Sequence, residues 1–228
     1  MAVMVAGLLL LVGRGSLPFR AEQSLQRLGD VPEFVLLERS GQPVTKAHLL
    51  GKVWIANVIF TRCAEECPLM SSHMARLQDA FAAEPDVRLV SITVDPEYDT
   101  PEVLAQYAQR FAAKPQRWWF LTGNKAVIYR LVREGFYLGL VDPADAPQSS
   151  AVPDTGGHAW AVARFLTPGP ALAHHGEHTL DQARRAITHN TRFVLVDRQG
   201  QIRHYYDSTD QDALRRLQRD VRRVLQAH

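Results

Sequence analysis

The chain has 228 residues, of which 46% are hydrophobic and 22% charged, with two cysteines and a formal net charge of +2. That balance is ordinary for a globular core and fits one domain, or one domain with a large insertion. A charge so close to zero, with no dense basic run interleaved with aromatics, argues against nucleic acid as the main partner.

The first apolar run, Ala2 to Val12, is broken by Gly13-Arg14-Gly15. It is too short for an ordinary transmembrane helix, which needs about 20 residues. It suits the core of a secretory signal, or the tail of an anchor that starts upstream, although no Lys or Arg precedes it. Leu17 to Leu28 fits a short amphipathic linker helix, so residues 1–28 are expected to be an anchor remnant and linker, and 29–228 the folded domain. Gly29-Asp-Val-Pro-Glu-Phe-Val-Leu-Leu-Glu-Arg-Ser-Gly-Gln-Pro-Val44 predicts a strand, a Ser-Gly turn and a second short strand. His48 falls in a turn before Gly51 and is better read as a surface residue than as a ligand.

Val53 to Phe60 is continuously apolar, the composition of a strand buried on both faces. The turn that follows holds the only two cysteines, Cys63 and Cys67. Pro68 fits the first position of a helix, where its missing N–H costs nothing, and the spacing predicts a helix from Pro68 to about Ala83. Its Leu69, His73, Arg76, Leu77, Ala80 and Phe81 recur near helical spacing. Both sulfurs therefore lie at or just before a helix N-terminus, whose dipole and free N–H groups favour thiolates. With three residues between them, the thiols can join in a disulfide or offer two soft ligands to one metal ion. An inert packing role is the plainer alternative, but it makes poor use of the only two cysteines.

Val87 to Val94 reads as a second buried strand, ended by Asp95-Pro96. Asp99-Thr100-Pro101-Glu102 is a helix start, with a capping oxygen, an early proline and an acid in the first turn. The helix turns Val103, Leu104, Tyr107 and Phe111 inward. Asp95 and Asp99 also admit a paired-carboxylate reading, but strand-end and capping tasks account for them better. Trp118 to Leu121 is a third strand, and Lys125 to Arg133 a third helix. Alternating strands and helices imply a layered α/β fold with largely parallel strands joined by crossover helices.

Residues 139–188 break this pattern with loop chemistry, as in Asp142-Pro-Ala-Asp-Ala-Pro and Val152-Pro-Asp-Thr-Gly-Gly157. A structureless loop of that length is uncommon inside a domain, so local structure or a functional lid is expected. His174, His175 and His178 offer three nearby imidazoles for a second metal. With no cysteine or carboxylate cluster to complete the set, a His-rich loop is the better account. Arg192 to Val196 and Ile202 to Tyr206 then flank Asp197-Arg-Gln-Gly200 as a hairpin. The last helix, Asp210 to Gln226, puts Leu214, Leu217, Val221, Val224 and Leu225 on one side. Arg215, Arg216, Arg219, Arg222 and Arg223 fill the other, best read as a solvated face, with anionic lipid or an acidic partner as the runner-up.

Phe60-Thr-Arg-Cys-Ala-Glu-Glu-Cys-Pro68 resembles the Cys-x-x-x-Cys-Pro motif of the SCO/SenC family, the copper-binding assembly factors of cytochrome c oxidase. Ser91-Ile-Thr-Val-Asp-Pro-Glu-Tyr-Asp-Thr-Pro-Glu-Val-Leu104, Trp119-Phe-Leu-Thr-Gly123 and His189-Asn-Thr-Arg-Phe-Val-Leu-Val-Asp-Arg-Gln-Gly200 resemble three further family segments in the same order. The resemblance covers about Asp30 to Tyr206, with one interruption. It implies a thioredoxin-like fold: an N-terminal β-hairpin, a central mixed sheet flanked by helices, and a long insertion before the last β-hairpin. It also implies an N-terminal anchor in the bacterial inner membrane, with the domain on the periplasmic side.

For the site, the resemblance implies that copper, as Cu(I) or Cu(II), is held by Cys63, Cys67 and His189. In thioredoxin-like oxidoreductases the loop before the strand equivalent to Arg192–Val196 packs against the thiol turn and usually carries a cis-proline; here it carries His189-Asn190-Thr191. Two thiolates and an imidazole suit a soft, low-coordinate ion. The chain departs from the family at Thr188, where an Asp is common, and in the length of the preceding insertion. The implied partner is the dinuclear copper site of cytochrome c oxidase subunit II. An alternative keeps the same thiols as catalytic redox groups: a thiol–disulfide oxidoreductase in which Cys63 and Cys67 reduce partner cysteines. A binding module without metal or redox chemistry is the weakest of the three.

Overall fold

A computed structural model describes residues 25–64, 66–140 and 191–227. The strands are β1 (Gly29–Asp30), β2 (Val35–Glu38), β3 (Pro43–Thr45), β4 (Val53–Ile59), β5 (Val87–Thr93), β6 (Trp118–Thr122), β7 (Arg192–Val196) and β8 (Gln201–Asp207). The helices are α1 (Glu66–Ala80), α2 (Pro101–Arg110), α3 (Lys125–Arg130) and α4 (Gln211–Gln226). The eight strands form one sheet in the order β1-β8-β7-β4-β5-β6-β2-β3. Strands β4, β5 and β6 are parallel neighbours, while β7 pairs antiparallel with β4 and β2 antiparallel with β6. This mixed sheet with its edge hairpin is the expected thioredoxin-like α/β fold.

β4 occupies the middle because its side chains are almost all apolar. Trp54, Ile55, Ala56 and Ile59 are fully buried, and the strand pairs on both sides, as a run without alternation requires. Its one buried polar side chain is satisfied in part from β5 and β6. Ser91 Oγ donates to Asn57 Oδ1 at 2.7 Å and accepts from Trp118 Nε1 at 2.9 Å.

The crossover helices α1 and α2 pack against each other. The Ser71 and Tyr107 hydroxyls lie 2.9 Å apart, and Gln78 bonds the Ala112 carbonyl and the Lys114 N–H. α4 buries Leu214, Leu217, Val221 and Val224, its Asp220 accepts from the Tyr206 hydroxyl at 2.8 Å, and Arg222 stacks over Phe81. Arg215, Arg216 and Arg223 pair with Asp212, Asp210 and Asp220, the pattern of a solvated charged face.

Three local expectations change. Leu25 to Leu28 is not helical; the Leu28 N–H donates to the Ile202 carbonyl at 2.8 Å, so this stretch leads into β1. α3 ends at Arg130 rather than Arg133 and widens into a π-turn over Leu131–Gly135, closed by the Phe136 N–H on the Leu131 carbonyl at 2.8 Å. The wider turn lets Leu131, Val132 and Phe136 all reach the core, with Phe136 edge-on to Trp54 at 6.0 Å. It also presses Gly135 onto Pro32. Finally, α1 begins at Glu66, ahead of Pro68, and stops at Ala80. Pro68 still lies in the first turn, where N–H groups have no partner within the helix. The expected linker over residues 17–24 and the insertion from residue 141 onward, with His174, His175 and His178, lie outside the described residues.

A Cβ added at Gly135 would meet Pro32 Cδ at 2.7 Å. Gly135→Ala is therefore expected to destabilise the fold by about 1–3 kcal/mol, the usual range for overpacking. Urea unfolding monitored by tryptophan fluorescence measures it.

Candidate metal centre

The candidate centre sits where β4 leaves the sheet. Phe60 and Cys63 close a turn, with the Cys63 N–H donating to the Phe60 carbonyl at 3.1 Å. α1 begins three residues after Cys63, and the Cys67 N–H donates to Cys63 Sγ at 3.4 Å. The turn thus places one sulfur over the first amides of the helix and the other inside its first turn. No disulfide joins the two, and they are 8% and 5% exposed. Glu66 Oε2 lies 3.7 Å from Cys63 Sγ.

The two thiols are not equivalent. The hydrogen bond between the Cys67 thiol and Cys63 pushes the Cys67 pKa far up, and burial adds to it. A bond to the Phe60 backbone opposes them, and the charges of Cys63 and Glu66 add smaller upward contributions. The expectation that the helix start favours thiolate at both sulfurs therefore fails at Cys67. Its position inside the helix and beside a second sulfur outweighs the dipole. Behind the pair, burial raises the Tyr107 phenol, and the charges of Cys67 and Cys63 add to the shift, so this ring shares their low-dielectric surroundings.

The corners of the turn are held from the β5–α2 connection. Thr61 donates both its N–H, at 3.1 Å, and its hydroxyl to Asp99, and Asp99 also accepts from the Thr93 hydroxyl. Arg62 donates through Nη2 and Nε to Asp95 Oδ2 at 2.6 and 3.1 Å, and its guanidinium lies 4.4 Å from the centre of the Tyr98 ring. The carboxylates of Asp95 and Asp99 thus serve different partners rather than one paired site. Thr100, not Asp99, caps α2, through its hydroxyl and the Val103 N–H at 3.4 Å. The role of Asp99 escapes sequence reasoning because its partner Thr61 is 38 residues away. The one available hint is an acid placed just before a residue that already caps.

His189 lies outside the described residues, and so does its relation to the sulfurs. Topology bears on its neighbourhood. β7 runs antiparallel to β4, so the chain enters β7 at the end of the sheet that carries the thiol turn. Other histidines serve elsewhere: His48 Nδ1 accepts from the Thr45 N–H at 3.0 Å. His73 is buried beside Arg76, and burial first, then that guanidinium, pull its pKa down. Among the described residues, no three His, Cys, Asp or Glu side chains converge closely enough to hold a metal ion. The described part of the site offers the two sulfurs, with the Glu66 carboxylate beside Cys63.

Comparison with known proteins now bears on this geometry. The family model described as SCO1/SenC matches residues 22–159, more than half of the chain. The chain belongs to the SCO1/SenC family. The match includes Cys63 and Cys67 and ends before His189. The SCO1 protein homolog of Bacillus subtilis is 41% identical over 95 residues, covering 41% of this chain and 49% of that protein. The chain thus spans about half the length of the curated relatives it matches. Among solved structures, a SCO1/SenC family lipoprotein from Bacillus anthracis superposes with a TM-score of 0.65 at 27% identity, covering 88% of this chain and 98% of that one. ScoI of Bradyrhizobium japonicum, solved with copper bound, shares the fold at a TM-score of 0.57 and 20% identity, covering 86% of this chain and 99% of that one.

The raised pKa of Cys67 orders the reactivity of the SCO1/SenC thiols. Iodoacetamide is expected to modify Cys63 ahead of Cys67 at pH 8. Cys63→Ala removes the largest cause of the shift, so Cys67 should deprotonate at lower pH and react faster than in the unaltered protein. Time-resolved peptide mass mapping checks both outcomes.

Proposed function

We propose that this SCO1/SenC chain binds one copper ion through Cys63, Cys67 and His189 and serves the assembly of cytochrome c oxidase, delivering copper to the dinuclear site of subunit II. The observation that carries the reading is the unbridged, buried sulfur pair at the head of α1. Two thiolates favour Cu(I) over harder ions, and an imidazole completes a low-coordinate set for Cu(I) or, with the thiols protected from oxidation, Cu(II). The antiparallel entry into β7 supports His189 as the third donor, as does the family resemblance of the His189–Gly200 segment. The copper-bound relative supports copper as the metal.

This chain's residues do three things for a bound ion. Cys63 and Cys67 supply sulfur, and Cys67 must shed its proton, so uptake releases protons and affinity rises with pH. Burial of both sulfurs keeps water and large thiols away from the ion. The same burial counts against thiol–disulfide exchange as the main activity, because an attacking sulfur must be reachable. Membrane anchoring through residues 1–28, with the domain on the periplasmic side, is part of the proposal, and the lipoprotein relative supports it. Among the described residues, no helix is long and apolar enough to cross a membrane.

Anaerobic Cu(I) titration with a competing chelator tests the ligand set. One ion per chain is expected. Cys63→Ser and Cys67→Ser should each abolish tight binding, and His189→Ala should weaken it by about 100-fold, the upper range for loss of even an outer-shell partner. Wild-type affinity in both a cysteine variant and His189→Ala would overturn the assignment.

A further inference from the structure

We propose that Asp99 is a positioning residue for Cys63: with Thr61 and Thr93 it forms a buried clamp that fixes the turn presenting the first thiol. The copper part of this inference rests on the reading of Cys63 and Cys67 as the metal-binding pair; the thiol–disulfide part does not.

The turn from Phe60 to Cys63 has two corner residues, and each is tied to the same short segment, Asp95 to Asp99. At the inner corner, Asp99 receives the Thr61 N–H on Oδ2 at 3.1 Å and the Thr61 hydroxyl on Oδ1, while the Thr93 hydroxyl also reaches Oδ2. At the outer corner, Arg62 is bonded to Asp95 and stacked on Tyr98. The receiving segment is itself closed, with the Asp99 and Tyr98 N–H groups donating to the Asp95 carbonyl at 2.8 and 3.1 Å.

Asp99 is fully buried, whereas Arg62 reaches solvent with 37% of its side chain exposed. A carboxylate shut away from water is costly unless its oxygens are satisfied, and burial does push the Asp99 pKa up against its hydrogen bonds. Helix α2 gives no reason to keep an acid there, since Thr100 caps it. The three donors do give a reason: all are N–H or O–H groups, and the amide of an asparagine would turn a donor toward one of them. Asp99 touches neither cysteine. It acts through Thr61, two residues before Cys63, and a ligand held by a turn keeps its place only if the turn is held.

The test uses the full chain, reduced without air, with Thr61→Val, Thr61→Ser and Asp99→Asn. Thr61→Val removes the hydroxyl and keeps the N–H bond, so the turn loses one tie without losing the fold. Three quantities are read: Cu(I) affinity by chelator competition, the equilibrium constant of the Cys63–Cys67 disulfide against glutathione, and the unfolding midpoint. In the glutathione exchange the two thiols yield two electrons and two protons. One S–S bond forms between Cys63 and Cys67, and oxidised glutathione becomes two thiols. Thr61→Val should weaken Cu(I) binding about tenfold, the low end for loss of an outer-shell partner. It should also shift the disulfide equilibrium about tenfold, or about 30 mV. Thr61→Ser should restore both, and Asp99→Asn should exceed Thr61→Val in both. If Thr61→Val and Asp99→Asn lower only the unfolding midpoint, the clamp is a structural tie and the proposal fails. If Cys63→Ser keeps wild-type copper affinity, the metal reading fails instead, and the disulfide constant still decides the role of Asp99.

Discussion

A strand buried on both faces must give up its sheet partners abruptly, and everything chemical in this domain follows from where β4 does so. Its neighbours β5 and β7 flank it on either side, so its carboxyl end opens onto the one region where crossover turns, a helix start and a returning strand converge. Open α/β sheets place their sites at such strand ends for this reason. Here the exit is a tight turn whose closing residue is Cys63, and α1 follows at once with Cys67 in its first turn. The apolar strand anchors the site, and the polar turn gives it chemistry.

The neighbourhood of the sulfurs is dry but not apolar. Thr93, Asp99, Ser71 and Tyr107 are all buried, and they bond in two small groups rather than in one chain. Low dielectric makes each of these bonds stiffer and each unmade one more costly. It also keeps a proton on Cys67 until something replaces it. A soft cation is such a replacement, because it trades an S–H bond for a metal–sulfur bond without leaving a bare charge in the interior. On the proposed reading, selectivity for a thiophilic ion would arise from the surroundings as well as from the donor atoms.

Much of this was legible in the residues. The unbroken apolar run of β4, the proline and acid at the start of α2, and the two-sided pattern of α4 each point to one element, and each forms. The parallel trio β4, β5 and β6 follows from their alternation with helices. What was not legible depends on partners distant in sequence. Asp99 looks like part of a helix cap, because nothing local betrays that it reaches Thr61. The π-turn after α3 brings Gly135 against Pro32, a contact across about a hundred residues that no periodicity encodes. α1 starts ahead of Pro68 because proline is tolerated throughout a first turn, so its position marks a zone rather than a boundary. At the site, two of the three expected ligands are brought together by a single turn, whereas His189 belongs to a segment beyond the described residues.

The pairing of β1 with β8 gives the domain a polarity. Leu28 and Val31 are sewn to Ile202 and Gly200, and the Leu25 carbonyl accepts from Arg203, beside the turn that joins β7 to β8. That turn and the sulfurs lie at opposite poles of the sheet, separated by the seven residues of β4, a span of about 23 Å at ordinary strand rise. Any surface that gripped the polypeptide upstream of Leu25 would hold the far pole, leaving the sulfur-bearing end standing outward like the tip of a short mast, free to meet whatever approaches from the opposite side.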